Sequence, residues 1–269
     1  MSSLETHYTA TDIEARILAG LRAAGLNPQQ RLSPEDLGAL DHFHTGGLQA
    51  SCDLLAMADI RPEDRVLDIG AGLGGCARLL ASRTGCHVDC VELSADYCAG
   101  AVLLNRMTGL DHQVKVHQGS ALDLPFADET FDVVWMQNVG MNIADKLKLY
   151  SEVARVLKPD GRFVFQEVTA GNIAASYFPL PWATEPADST LVTADQMCAI
   201  LATCGFIDDV FEDVSDAQFS TNVANSTPSS QGQLSLTVFV DNLGEKAGNA
   251  RRSLEEGQIR YVRGVFRVN

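Results

Sequence analysis

Val66-Leu67-Asp68-Ile69-Gly70-Ala71-Gly72-Leu73-Gly74-Gly75 is an apolar run that breaks into glycines, and Cys76-Ala77-Arg78-Leu79-Leu80-Ala81 then resumes as a helical pattern. The order is strand, tight loop, helix. Gly70 and Gly72 let the backbone turn with positive φ and let a ligand approach without a Cβ in the way, while the helix that follows aims its unpaired N–H groups into the same space. The stretch therefore predicts a nucleotide-cofactor loop. The bland alternative is an ordinary strand-to-helix turn, which the acidic Asp68 and a later carboxylate disfavour.

Two cofactor classes fit these glycines. Gly70, Gly72 and Gly75 satisfy the dinucleotide spacing G-x-G-x-x-G, and Gly70, Gly72 and Gly74 satisfy the G-x-G-x-G of enzymes that use S-adenosylmethionine (SAM). Glu92 ends the apolar run His87-Val88-Asp89-Cys90-Val91, where a carboxylate accepts hydrogen bonds from vicinal ribose hydroxyls in either class. The glycines and Glu92 leave the choice open.

The chain has 269 residues, 46% of them hydrophobic, enough for a substantial core in one α/β domain with or without a cap. Thirty-five acidic against 20 basic side chains give a net charge of −15, which disfavours nucleic acid and anionic lipid as partners. No apolar run reaches the length of a membrane span and the start lacks a signal-peptide core, so a soluble, cytoplasmic protein is expected. Seven cysteines form no C-x-x-C pair and read as reduced, buried small residues. The six histidines show no metal-binding spacing, and no metal is expected; His42 and His44 share a face only if their stretch is extended. A homodimer is compatible with this composition.

Upstream, Asp12 to Ala24 has a helical period ended by Gly25, and Ser33-Pro34-Glu35-Asp36 reads as an N-cap with proline at the first helical position. Asp41 to Gly47 is a polar, aromatic, glycine-containing loop before a helix over Leu48–Ala58, placed to lie over the cofactor mouth. From Arg65 strands alternate with helices, the signature of right-handed crossovers. Strands are predicted near 65–69, 87–91, 113–118, 131–135, 161–168, 206–214 and 258–267, and helices near 74–83, 94–108, 142–157 and 193–204. Asp160-Gly161 is expected as a turn, Ala217 to Gln233 as a flexible loop, Leu234 to Val240 as strand or buried helix, and Asn242 to Glu256 as an amphipathic helix. The domain reading is a helical cap and lid over residues 1–58 and a core over 59–269, with excursions near 169–192 and 215–257.

Several stretches together decide between the cofactors. The run Val66 to Gly75, Glu92, Ser120-Ala121-Leu122, Leu124-Pro125-Phe126, Phe131-Asp132-Val133-Val134 and Val156-Leu157-Lys158-Pro159-Asp160-Gly161-Arg162 resembles the class I SAM-dependent methyltransferases. Phe43-His44-Thr45-Gly46-Gly47, Gln137 to Ile143 and Pro179-Leu180-Pro181-Trp182-Ala183 are most similar to the sarcosine/dimethylglycine N-methyltransferase-like group of small-molecule enzymes. The resemblance implies a Rossmann-like, seven-stranded, mostly parallel sheet with the last strand antiparallel and helices on both faces. It implies SAM as cofactor, S-adenosylhomocysteine as product, and a secondary or tertiary amine as the favoured acceptor, with C- or O-methylation of a secondary metabolite as the alternative. An NAD-dependent oxidoreductase and a non-catalytic SAM-binding protein are the readings of other classes.

By the same resemblance, Asp68 with Gly70, Gly72 and Gly74 meets the methionine part of SAM, and Glu92 meets the ribose. Leu93, Ser120, Ala121 and Leu122 surround the adenine, and Gln137 lies beside the reacting end. The family usually carries Asp where this chain has Ser120, and the subgroup often carries His where it has Asn138. His44 and Asn138 are the catalytic candidates, and Tyr8, Met141, Asn142, Tyr177 and Trp182 the candidates for the acceptor pocket. Methyl transfer asks mainly for alignment and exclusion of water, and a carbon or phenol acceptor asks in addition for a base.

Overall fold

The computed structural model describes residues 12–42, 44–174, 177–216 and 242–268. Tyr8, the expected loop from Ala217 to Gln233 and the ambiguous stretch Leu234 to Val240 lie outside them. Seven strands form one sheet: β1 (Arg65–Ile69), β2 (His87–Glu92), β3 (Val114–Gln118), β4 (Phe131–Gln137), β5 (Leu157–Ala170), β6 (Phe206–Asp213) and β7 (Ile259–Val268). Their spatial order is β3-β2-β1-β4-β5-β7-β6. β1 to β5 pair in parallel, and β7 runs antiparallel to both β5 and β6. The order reverses between β1 and β4, each of which begins a walk to its own edge, and a crevice opens there at the carboxyl ends of the strands.

Alternation along the central strands feeds two cores. Leu67, Val134 and Phe165 pack on one face with Leu149 and Val153 of α6 (Lys146–Val156) and Leu201 of α7 (Ala194–Thr203). Val66, Val133 and Val164 pack on the other with Leu54 of α3 (Gly47–Ala58) and Leu80 of α4 (Gly75–Thr84). Successive side chains of a strand point to opposite faces, so a continuous apolar run buries on both. A third cluster joins Ile13, Ile17 and Leu21 of α1 (Ile13–Ala23) and Leu37 of α2 (Pro34–Asp41) to Leu104 of α5 (Ala95–Thr108). α8 (Leu243–Glu255) packs Ala250 and Leu254 against Ile259 and Tyr261 of β7. None of the described helices is long and apolar enough to cross a membrane.

Two boundaries differ from expectation for local reasons. The helix expected from 142 begins at Lys146, because Gly140–Asn142 closes a 3₁₀ turn and the Asp145 side chain caps α6 by accepting from the Lys148 N–H. The expected turn at Asp160-Gly161 lies inside β5: pairing to β4 resumes at Arg162 after a register shift, with Asp160 at φ 61°. Ser33 and Asp36 form the predicted N-terminal cap of α2 as a reciprocal capping box.

Candidate active site

The glycine loop runs from β1 to α4 across the crevice. Gly72 has φ +54°, and a Cβ built there would meet nothing within 4 Å, so its open side faces the cavity. Its N–H donates to Glu92 Oε2 at 2.9 Å, and the Ser94 N–H donates to Glu92 Oε1 at 2.9 Å. Glu92 is thus fixed at the end of β2 with lone pairs to spare. Asp68 ends 3% exposed, and its Oδ2 is buried with no hydrogen-bond partner among the described residues. Burial, and secondarily the nearby Glu92 carboxylate, pushes the Asp68 carboxyl up to about 8. A cationic group placed there relieves both causes.

The remaining glycines of the loop serve packing. Gly74 sits at the N-cap of α4 with its Cβ position 3.1 Å from Arg78 Nη1, and it is not among the cavity-lining residues. A Cβ on Gly75 would stand 1.9 Å from the Asp41 carbonyl oxygen, so this glycine lets the end of α2 touch α4. The contact is locked by a fully buried Arg78 that donates to Asp41 and to Asn105 Oδ1. Leu93, Ser120, Ala121 and Leu122 line the same cavity from the ends of β2 and β3. Ser120 Oγ accepts from the Leu122 N–H at 3.1 Å, which shapes the loop.

Beside the glycine loop lies a knot of polar side chains that sequence spacing did not disclose. Gln137 Oε1 accepts from Ser51 Oγ at 3.1 Å, from the Cys76 thiol at 3.0 Å and from Trp135 Nε1 at 3.0 Å. Its Nε2 is buried without a partner among the described residues. Ser51 Oγ also lies 2.9 Å from His44 Nε2, and His44 Nδ1 lies 3.3 Å from the Thr45 carbonyl. Burial holds the His44 imidazole down at about 3, helped by His42, and holds His42 down at about 4, so both are neutral. Burial also pushes the Cys76 thiol well above its ordinary value. The His42 and His44 rings are 5.6 Å apart, and their nitrogens lie with Cys76 Sγ within 4.8 Å of one another. Cys76 had one signal, its place in the first turn after the glycines; Ser51, nine residues past His42 on another element, had none.

The far side of the cavity belongs to the segment after β4, the loop carrying Trp182, and β7. Asn138, at φ 53°, donates through Nδ2 to Thr45 Oγ1 at 3.5 Å, and its Oδ1 is buried without a partner among the described residues. Met141 and Trp182 line the cavity, as does Tyr261 of β7, which the sequence reading missed. Asn142 Nδ2 donates to the Trp182 carbonyl at 2.7 Å and the Asp188 carbonyl at 3.2 Å, so Asn142 holds the Trp182 loop in place. Trp182 is 2% exposed and donates through Nε1 to Ser189 Oγ at 3.0 Å. The turn carrying Met141 is gripped from two sides. Glu167 Oε1 accepts from the Val139 and Gly140 N–H groups at 3.0 Å, and Lys146 Nζ donates to the Gly140, Ile143 and Thr190 carbonyls.

Tyr177 is a correction. It is not among the lining residues; its hydroxyl donates to Glu256 Oε2 at 2.7 Å and the Arg252 guanidinium lies over its ring at 3.9 Å, so it fastens the excursion to the end of α8. His44, Asn138, Asp68, Gly70, Gly72, Glu92, Leu93, Ser120, Ala121, Leu122, Gln137, Met141, Asn142 and Trp182 all border one cavity of about 1550 Å³.

Residues 67–165 match the family model described as a methyltransferase domain. Over 116 residues, 43% of this chain, the sequence is 45% identical to a glycine/sarcosine/dimethylglycine N-methyltransferase of Actinopolyspora halophila, of which the match covers 20%. Over 169 residues, 61% of this chain, it is 31% identical to a chloroplastic tocopherol O-methyltransferase of Arabidopsis thaliana, of which it covers 48%. The chain thus spans half or less of these relatives. Among solved structures, the Haemonchus contortus phosphoethanolamine N-methyltransferase 2 in complex with phosphomonomethylethanolamine and S-adenosylhomocysteine superposes with a TM-score of 0.76 at 20% identity, covering 100% of this chain and 61% of that one. The strand order and the glycine loop agree with that match: residues 67–165 are similar to a methyltransferase domain, carried on a fold that the solved N-methyltransferase shares.

Proposed function

We propose that this protein transfers a methyl group from SAM to a small-molecule acceptor. The observation that carries the reading is Asp68 Oδ2, buried and unpartnered beside a glycine loop that is open toward the cavity. A ligand with an ammonium group and a vicinal diol suits this pair of carboxyls: Asp68 accepts from the ammonium, and the spare lone pairs of Glu92 accept from the diol. The backbone at Ser120–Leu122 and the apolar side of Leu93 fit a flat heterocycle between them. SAM supplies an electrophilic methyl on a sulfonium. The chain's own residues align the acceptor and exclude water, with Trp182, Met141 and Tyr261 closing the side opposite the glycine loop.

An amine nitrogen is the favoured acceptor atom, supported by the relative named as a glycine/sarcosine/dimethylglycine N-methyltransferase. A neutral amine needs no strong base, and His44, held down at about 3, is suited to hydrogen-bond an acceptor rather than to keep a proton. The relative named as a tocopherol O-methyltransferase supports an oxygen or carbon acceptor as the second reading. In either case Asn138 Oδ1 and Gln137 Nε2 offer one unpaired acceptor and one unpaired donor at the reacting end. Helices within residues 12–58 serve as the cap over the site. The test is titration of the purified protein with SAM and, separately, NAD by calorimetry. SAM binding in the micromolar range with no heat from NAD is expected; the reverse would overturn the reading.

A further inference from the structure

Resting on the methyltransferase reading above, we infer that the acceptor is an uncharged, largely apolar molecule without a carboxylate or phosphate group. Away from the glycine loop the cavity is lined by Met141, Ile143, Pro181, Trp182 and Tyr261, with Ala250 of α8 in the same apolar cluster as Met141, Trp182 and Tyr261, while Gly244 and Ala247 line it from earlier turns of α8. Site recognition of a carboxylate or phosphate calls for a guanidinium, an ammonium or a dedicated nest of N–H groups. Among the described lining residues the only such cation is Arg251, which lies at the rim and is committed to Glu255 Oε1 at 3.0 Å. Against it stand four lining carboxyl residues, Asp41, Asp68, Glu92 and Asp145.

Among the described residues no other guanidinium or ammonium reaches the cavity. The stretches outside the described residues, 1–11, 43, 175–176, 217–241 and 269, contain no lysine or arginine. Lys146, the nearest buried ammonium, is consumed by the Gly140, Ile143 and Thr190 carbonyls, and Arg78 by Asp41 and Asn105. The histidines of the site are buried and hydrogen-bonded. A net charge of −15 adds a repulsive field for any anion.

Size points the same way. A drug-sized ligand occupies roughly 300–1000 Å³, whereas this cavity is about 1550 Å³, so a cofactor leaves room for an acceptor far larger than a methylated glycine. Small residues on the α8 side, Gly244, Ala247 and Gly248, keep that space open. Dimethylglycine, printed in the name of one relative, and phosphomonomethylethanolamine, bound in one solved structure, are small and each carries an anionic group, and neither suits these walls.

The test uses the purified full chain saturated with S-adenosylhomocysteine and titrated with Nile red, an uncharged apolar dye. One saturable site is expected, weakened about tenfold or more by Ala247→Trp, which fills the mouth from an exposed helical position and spares the fold. Dimethylglycine and phosphoethanolamine at millimolar concentration should leave the dye in place. Displacement by either anion, dye binding indifferent to Ala247→Trp, no saturable dye site, or label transfer from methyl-labelled SAM to dimethylglycine overturns the inference. Calorimetry of S-adenosylhomocysteine alone separates the two levels: failure of that binding overturns the methyltransferase reading, whereas its success with displacement by dimethylglycine overturns the acceptor class alone.

Discussion

Asp68 is held away from water with its Oδ2 unpartnered among the described residues, and burial, outweighing the Ala77 N–H and the Arg78 charge, pushes its carboxyl up to about 8. The unfolded chain releases that proton near pH 4, so between about 4 and 8 the folded state binds more protons and ligand-free stability falls as pH rises. Asp68→Asn removes the slope. The ligand-free variant is expected to melt above the parent at pH 8 and level with it near pH 4, while losing SAM affinity because a neutral amide replaces the carboxylate; melting curves at both pH values with calorimetry check this. Glu92→Ala should weaken SAM binding by about 1–3 kcal/mol, the worth of hydrogen bonds to a charged acceptor. An unchanged dissociation constant in a folded variant would remove Glu92 from the site. His44→Ala should leave SAM affinity intact and lower kcat/KM for the acceptor, since its contacts run to Ser51, Thr45 and the Cys76 thiol and not to Asp68 or Glu92.

Two glycines of one loop do different work, and the difference appears only when the elements around them are placed. At Gly72 a side chain would enter the cavity, and at Gly75 it would enter the Asp41 backbone. Gly75→Ala is therefore expected to cost about 1–3 kcal/mol of stability by prying α2 from α4, measured by denaturant unfolding. Gly72→Val should chiefly abolish SAM binding, measured by calorimetry on folded protein. The turn at Gly140–Asn142 offers a second case. Glu167→Leu strands the Val139 and Gly140 N–H groups and leaves Lys146 without its nearby carboxyl, at a cost of roughly 1–3 kcal/mol for each unsatisfied donor. Melting should fall and the acceptor KM should rise, with SAM affinity little changed.

At the scale of the molecule, the sheet order reverses between β1 and β4 and one cavity lies at that reversal; on the proposed reading it holds cofactor and acceptor together. Ligand binding to the folded state alone adds about 2.7 kcal/mol at a concentration 100-fold above Kd, and a chain of this size gains about 2–4 °C in Tm per kcal/mol. SAM should raise the melting temperature by that arithmetic, and NAD should leave it unchanged. The strand–loop–helix at Val66–Ala81, the alternation of strands and helices and the carboxyls at Asp68 and Glu92 were legible in the sequence, because each is set by residues close in the chain: glycine freedom, hydrophobic period, a carboxylate at a strand end. The convergence of Ser51, Cys76 and Gln137 on His44, the removal of Tyr177 to the end of α8 and the arrival of Tyr261 at the cavity were decided by tertiary structure. Within the knot Ser51 reaches Cys76 across 25 positions and Gln137 across 86, and no local rule carries those distances. That Arg251 is the one lysine or arginine among the described lining residues was likewise invisible in composition: 20 lysines and arginines are present, and only packing determined which of them border the cavity.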